Sequence, residues 1–488
     1  MKRRPSTALV ALAALLSACG GGSGGGTVGS TAGTSTPTPT SSTPTPTTTA
    51  GCSLRERQDW AAAQLREWYL FPELLPASLD PTPYTSVDTY IDALTATARA
   101  QRKDRYFTYL TSIAAENAYY ASGQTAGFGF RLTTNTAQRR VFVAESFEGT
   151  SALAAGIDRG TEILAIGTSE SSLRTVSDII AAEGSNGVTN ALGPNTAGTA
   201  RVLRVTDAAG TRNVTIAKTD YELTPVSSRY GAKILDDGGK KVGYVNLRTF
   251  ISTADPGLRA AFAQFRAAGV TEVVVDLRYN GGGLVSIAQL FGDLLGAGRS
   301  TSDVFSYTTF NAAKSANNET RNFMTQPQAI AATKIAFIGT GGTASASELV
   351  MNAYIPYLHA NAALIGTNTY GKPVGQIAID RASCDDRLRV IAFATQNAAR
   401  QGNYFDGLAT VMEKTCAAGD DVTYPLGDAR ESSVKAALDF LAGRSCTSIA
   451  TASATSALRA DEPALLERRE LLTPERPNTA QREVPGLF

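Results

Sequence analysis

From residue 219 to 444 short runs of β-branched and apolar residues alternate with longer runs of helical spacing, and this alternation constrains the fold more than any other feature of the chain. Val242 to Phe250 and Val270 to Leu277 read as strands, and between them Leu258, Phe262 and Phe265 mark one face of a helix. Further strands are expected at Lys334 to Gly339, Ala362 to Gly366, Gln376 to Ile379 and Leu388 to Thr395, with helices near 284–295, 345–357 and 431–442. Strands that alternate with helices stack into an α/β layered domain, because each helix must bury its apolar stripe against the sheet.

The preceding segments read differently. Residues 53–120 carry Trp60, Leu65, Trp68 and Leu70 in one helical run, a proline-rich break from Leu75 to Pro83, and a second run from Val87 to Ala100. They are expected to form a small helical cap whose aromatics serve its core. Residues 121–218 hold short β-rich runs at 127–132, 141–143, 162–166, 202–205 and 214–216, the pattern of a compact barrel with one helix. The turn Gly127-Phe128-Gly129-Phe130, the pair Ser151-Ala152 and the string from Ala155 to Ile163 resemble a PDZ domain. That resemblance implies peptide binding by strand addition, with the Gly127, Phe128, Gly129 and Phe130 loop holding the terminal carboxylate. Residues 445–488 are polar with charged clusters and are expected to form a mobile tail.

At the other end, Met1 to Arg4 are positively charged and Ala8 to Ala18 are apolar or small, the pattern of a secretion signal. The apolar run is too short for the roughly 20 residues that span a bilayer as a helix. Leu16-Ser17-Ala18-Cys19 resembles a bacterial lipobox, which implies that residues 1–19 are a lipoprotein signal and that Cys19 bears lipid. Gly20, in place of the aspartate that retains such proteins at the inner membrane, favours the outer membrane, facing the periplasm. Residues 20–52, rich in Gly, Ser, Thr and Pro, read as a flexible tether. With 45 basic and 44 acidic residues, no global charge draws the chain to nucleic acid. Cys52, Cys384, Cys416 and Cys446 make an even number in an exported chain, which points to two disulfides. Three pairings are open. Their shared late segment favours Cys384 with Cys416, leaving Cys52 with Cys446. One histidine and no C-x-x-C argue against zinc.

Three strings carry the chemistry. Thr343-Ala344-Ser345-Ala346-Ser347-Glu348 lies between a strand and a helix, so Ser345 is expected at a helix N-terminus. Backbone N–H groups and the helix dipole gather there, as a nucleophile and its oxyanion require, although serine is also an ordinary N-cap. Asp276-Leu277-Arg278-Tyr279-Asn280-Gly281-Gly282-Gly283 ends a strand in three glycines, which permit close backbone approach to a substrate. Gly371-Lys372-Pro373-Val374-Gly375-Gln376 follows another strand, with Lys372 placed 27 residues after Ser345.

Together these strings resemble the C-terminal processing (tail-specific) serine peptidases, with their D-L-R-x-N-x-G-G, S-A-S-E and G-K-x-x-x-Q segments. The order of helical cap, PDZ-like domain and catalytic strings matches too, over roughly residues 55–444. The resemblance implies a multidomain α/β protein whose peptidase core, residues 219–444, is crotonase-like. It also implies Ser345 as nucleophile, Lys372 as general base and Gln376 as the residue that orients the lysine. The oxyanion hole is then expected from the N–H groups of Ala346, Gly283 and Gly282. Burial should lower the Lys372 pKa from about 10.4 to roughly 7 to 8, so that the base is neutral. No metal or organic cofactor is implied; the expected partner is a polypeptide bound by its C-terminus.

Other readings compete. Gly339-Thr340-Gly341-Gly342-Thr343-Ala344 fits a G-x-G-x-x-A dinucleotide turn, but no Asp or Glu occurs from Leu349 to Gly371 to bind a ribose. A non-catalytic peptide-binding scaffold would be expected to lack Ser345 or Lys372. A histidine triad would need His359, the single histidine, which has no acidic residue beside it in sequence.

Overall fold

The structure is a computed structural model that describes residues 51–450 and 469–488; the expected signal peptide, Cys19 and nearly all of the tether lie outside the described residues. At the centre stands a six-stranded sheet in the order Ala232–Asp237, Lys240–Asn246, Glu272–Asp276, Lys334–Gly339, Ala362–Gly366, Lys414–Ala417. The last five strands run parallel, and the first joins them as an antiparallel edge. Its hairpin turns at Gly238 and Gly239, both at positive φ, as a tight two-residue loop requires.

Both faces of this sheet are covered. Val245, Val273, Val275, Phe337 and Leu364 share a core with the helices Ala254–Ala267, Val285–Leu295 and Ala346–Leu358. Tyr244, Val274, Ala336, Ile338 and Ile365 alternate with them and pack against the helix Ser432–Leu441. A parallel strand buried on both faces has no place for polar residues, which explains the unbroken apolar runs Val273 to Val275 and Ile335 to Ile338.

The expected strands at 376–379 and 388–395 exist, as Val374–Arg381 and Asp386–Gln396, but they belong to a second, antiparallel sheet. That sheet also takes Val304–Phe310, Glu319–Asn322 and Tyr109–Ser112. The cap helices Leu54–Trp68 and Val87–Leu94 bury Ala61, Leu65, Tyr69, Ile91 and Leu94 against its Leu388, Val390 and Ile391. Residues 53–120 are therefore not a separate helical layer: one of their segments is a strand of a sheet built from the late chain.

Residues 121–218 are β-rich, with strands Phe130–Asn135, Arg140–Ser146, Glu162–Gly167, Ala200–Asp207 and Gly210–Ala217 and the helix Val176–Leu192. Gln124–Gly127 pairs antiparallel with Thr219–Glu222 in a separate two-stranded ribbon. The tail expected to be mobile is folded over residues 469–488. Glu470–Leu471 pairs antiparallel with Thr133 and Thr134, and Leu472, Val484, Leu487 and Phe488 are all at most 2% exposed.

The disulfides join Cys52 to Cys384 and Cys416 to Cys446, which corrects the pairing of Cys384 with Cys416 and of Cys52 with Cys446. Cys416 sits in the edge strand of the central sheet, whereas Cys384 lies in the turn between two strands of the antiparallel sheet. Closeness in sequence here crosses from one sheet to the other. After the helix Ser432–Leu441 the chain returns along that edge, where the Ala417 N–H donates to Thr447 O at 2.8 Å, and Cys446 is delivered to Cys416. The Cys52–Cys384 bridge closes a separation of 332 residues and pins the start of the cap. Replacing both of its cysteines with serine is expected to lower the unfolding free energy by about 2–5 kcal/mol in denaturant titrations. Non-reducing peptide mapping should recover the two observed pairs, and a Cys384–Cys416 peptide would overturn them.

Candidate active site

The three chemical strings meet because they follow three neighbouring parallel strands at their carboxyl ends. Asp276 to Gly283 leaves Glu272–Asp276, the turn to Ser345 leaves Lys334–Gly339, and Thr367 to Lys372 leaves Ala362–Gly366. Crevices outside the carboxyl ends of parallel strands are where such sheets build sites.

Ser345 is the N-cap of the helix Ala346–Leu358 with φ 54° and ψ −113°, a backbone conformation that costs a non-glycine residue about 1–3 kcal/mol. Its neighbours hold it there. The Ser345 N–H donates to Glu348 Oε2 at 3.0 Å, and the N–H of Ala344 and the Ser347 hydroxyl both donate to Asn280 O at 3.0 Å. Gly282 comes so near that a Cβ on it would stand 2.8 Å from the Ser345 Cβ. Glycine is required there by contact as well as by its φ of 123°.

Glu348 also reaches the lysine turn. Its Oε1 accepts the N–H of Gly371 and its Oε2 the N–H of Lys372, each at 2.7 Å. The carboxyl group is fully buried, and burial raises its pKa while these donors oppose the rise.

Lys372 is part-buried and donates from Nζ to Gln376 Oε1 at 2.9 Å. Gln376 Nε2 in turn donates to Phe107 O, which fixes the amide with its oxygen towards the lysine. The Phe107 ring lies 4.9 Å from Nζ. Desolvation pushes the Lys372 pKa down to about 8; Glu483 and Asp104 oppose that shift, and Arg482 and Arg389 add to it. Lys372, Gln376 and Ala344 line one cavity of about 1510 Å³, with Gly281 and Glu483 on its wall.

The glycine turn is braced by charge. Arg278, wholly buried, donates from Nη1 and Nη2 to the two oxygens of Glu431 at 2.8 Å each, and from Nε and Nη2 to Asp276. Asn280 Nδ2 donates to Leu247 O and its Oδ1 accepts the Gly282 N–H, both at 2.9 Å. The N–H groups of Gly283 and Ala346 donate to no group among the described residues. The bracing roles of Glu348, Asp276, Arg278 and Glu431 are not part of the sequence reading. For Asp276 and Arg278 a signal was available, since a charge embedded in a buried apolar string must be paired.

His359 stands apart. It ends the helix that Ser345 begins, about 20 Å away at 1.5 Å per residue, is 66% exposed, and has Nδ1 2.8 Å from Glu413 Oε1. An acid does accompany it, from 54 residues on, but the pair cannot reach the serine. The turn Gly339 to Ala344 leads into Ser345, with Gly341 and Gly342 on the cavity wall. The loop Gly127 to Phe130 is filled from within the chain: the N–H groups of Gly129 and Phe130 both donate to Phe488 O, at 2.9 and 3.3 Å.

Residues 241–401 match peptidase family S41. The chain is 28% identical over 275 residues to the chloroplastic C-terminal processing peptidase of Tetradesmus obliquus, covering 53% of this chain and 54% of the relative. It is 27% identical over 256 residues to the carboxyl-terminal-processing protease of a Picosynechococcus species, covering 51% and 55%. The chain thus spans about half the length of these curated relatives. A crystal structure from Bacteroides fragilis, assigned in its description to the S41 proteases, superposes with a TM-score of 0.59 at 22% identity, over 79% of this chain and 97% of that one, which shows a shared fold. The segment that matches the S41 peptidase model, residues 241–401, contains the serine turn, the lysine turn and the glycine turn that converge at this cleft.

Proposed function

We propose that the protein is a C-terminal processing endopeptidase that cleaves unfolded or C-terminally presented polypeptides with a Ser345–Lys372 dyad. The observation that carries this reading is Lys372 itself: part-buried, depressed to about 8, and held by Gln376 on a turn that Glu348 ties to the Ser345 turn. Neutral Lys372 Nζ takes the proton of the Ser345 hydroxyl as Oγ attacks the scissile carbonyl, and returns it to the leaving amine. Water, activated by the same amine, then hydrolyses the acyl-enzyme. The Gly282 N–H is already given to Asn280, so Gly283 and Ala346 are the oxyanion donors of this mechanism. The β-rich domain acts as a PDZ-like module, with Gly127 to Phe130 receiving a peptide end.

The dyad is tested by variants. Ser345→Ala and Lys372→Ala should each abolish hydrolysis of an unstructured protein while circular dichroism stays unchanged. Lys372→Arg should be as damaging, because a guanidinium does not deprotonate at accessible pH. His359→Ala should keep wild-type turnover. Because neutral lysine is the active form, kcat/KM should rise about tenfold per pH unit below the base's pKa near 8 and level off above it. Turnover by Lys372→Ala, or loss of turnover in folded His359→Ala, sinks the dyad.

Glu348→Gln separates the bracing carboxylate from its shape. An amide offers one acceptor oxygen to three N–H donors, so one or two of them lose their partner at about 1–3 kcal/mol each. Unfolding in denaturant should show a loss of about 2–4 kcal/mol, and kcat should fall more than KM rises. Wild-type stability and kcat in Glu348→Gln would remove the brace from the account.

We also infer that Cys19 is lipid-modified and anchors the protein in the bacterial cell envelope, at the outer membrane, by way of the tether. Support comes from the lipobox-like Leu16 to Cys19 and the composition of residues 20–52. Intact mass of the protein from membranes should show an acylated Cys19 as first residue, and an unmodified chain cut elsewhere would refute it.

A further inference from the structure

The tail makes two contacts that a surface segment has no need to make. Its last residues add to the edge of the strand Phe130–Asn135: Leu132 N–H donates to Gly486 O at 2.8 Å, Phe488 N–H donates to Phe130 O at 3.0 Å, and Leu487 lies antiparallel opposite Arg131. The strand ends with Phe488 O on the N–H groups of Gly129 and Phe130. The Phe488 side chain shares the core of Phe128, Val176, Ile179 and Ile180, between the sheet and the helix Val176–Leu192. Backbone pairing along one edge, a carbonyl cradled by two N–H groups and a pocketed side chain are elements of peptide recognition by strand addition.

Just before that strand, the turn Thr479–Glu483 lies against the catalytic cleft. Glu483 O accepts the N–H of Gly281 at 2.9 Å, and its carboxylate accepts the Tyr120 hydroxyl at 2.9 Å. Arg482 Nη1 donates to Tyr106 O at 2.8 Å, and its guanidinium covers the Tyr109 ring at 3.8 Å. Arg482, Glu483 and Pro485 form part of the cavity wall that also holds Lys372 and Gln376.

We propose that residues 478–488 are a tethered ligand of the chain's own peptide groove, holding the cleft covered until an apolar peptide end takes their place. The blocking half of this statement rests on the peptidase reading above; the binding half does not. Because the segment is linked to its site, it competes at an effective concentration on the order of mM, without any unusual affinity of its own. The Glu483 charge adds to the block, since it favours the protonated lysine that cannot act as a base. A displacing chain must supply an extended backbone for the edge at Phe130 to Leu132, since Glu470–Leu471 holds Thr133 and Thr134, and one large apolar side chain for the place of Phe488.

The test begins in Ser345→Ala, where no turnover interferes. A fluorescent peptide of residues 478–488 should bind at least about tenfold more tightly to Phe488→Asp, or to a chain stopped after Glu483, than to the parent chain. In the parent chain, excess unlabelled peptide should speed hydrogen exchange of Leu487 and Phe488 while leaving Gly129 and Phe130 protected, a measurement that needs no folded variant. Equal affinity in all three chains, or unchanged exchange at Leu487 and Phe488, overturns the proposal. With Ser345 present, Phe488→Asp should raise kcat/KM at least about fivefold on an unstructured protein. Tighter binding in chains that all fail to hydrolyse would defeat the peptidase reading and leave the tethered ligand standing. Tighter binding without a gain, in chains that do hydrolyse, would overturn the block.

Discussion

A single buried carboxylate sets the geometry on which the site depends. Glu348 accepts the N–H groups of Ser345, Gly371 and Lys372, and so locks together two turns that leave different strands. An ionised group placed so deeply costs several kcal/mol unless its oxygens are matched, and here each meets backbone donors whose positions the sheet already fixes. The same bond helps to hold Ser345 at its strained positive φ, since the serine N–H donates to Glu348, one turn along the helix. Strain of this kind persists only where several contacts overdetermine it. Asn280 and Gly282 supply the others.

The opposite wall is held by charge rather than by backbone donors. Arg278 lies between Asp276 and Glu431, with Asp420 at its edge, so the turn that carries Gly281 to Gly283 is fixed to the sheet beneath and to the N-cap residue of the helix Ser432–Leu441. A guanidinium with both forks occupied gives more geometric definition than an apolar contact of similar size, because each N–H has one direction. The glycines can then be conformationally free without being loose, since the residues on both sides of them are anchored.

Why parts of this were legible in sequence and others not comes down to what a local pattern encodes. Lys334–Gly339 and Ala362–Gly366 are found at their expected bounds because a strand buried on both faces is an apolar run with sharp ends. The runs at 376–379 and 388–395 also read as strands, yet periodicity says nothing of partners, and they joined a different sheet. The cysteine pairing failed for the same reason: Cys384 and Cys416 are close in sequence and lie on separate sheets. Ser345, Lys372 and Gln376 were recognisable as motifs. That Glu348 joins the first two was not, because a carboxylate three residues into a helix looks like an ordinary capping partner. The tail escaped because Leu472, Val484, Leu487 and Phe488 are scattered among charges, so its average composition hides residues that are individually buried.

Under the tethered-ligand proposal, binding at a strand edge governs chemistry at the cleft without a long chain of coupled residues. Its groove contacts at Gly486 to Phe488 and its cleft contacts at Arg482 and Glu483 lie within seven residues of one another. Pulling the strand from the groove therefore removes the anchor that keeps Glu483 against Gly281. Most groove hydrogen bonds run through backbone groups, which any extended chain can reproduce, so the edge itself selects little. Selection falls on the one side chain that enters the core, at the place of Phe488. A competitor must bury comparable apolar area, worth about 1.5–3 kcal/mol for a side chain of this size, and must also overcome the advantage of tethering.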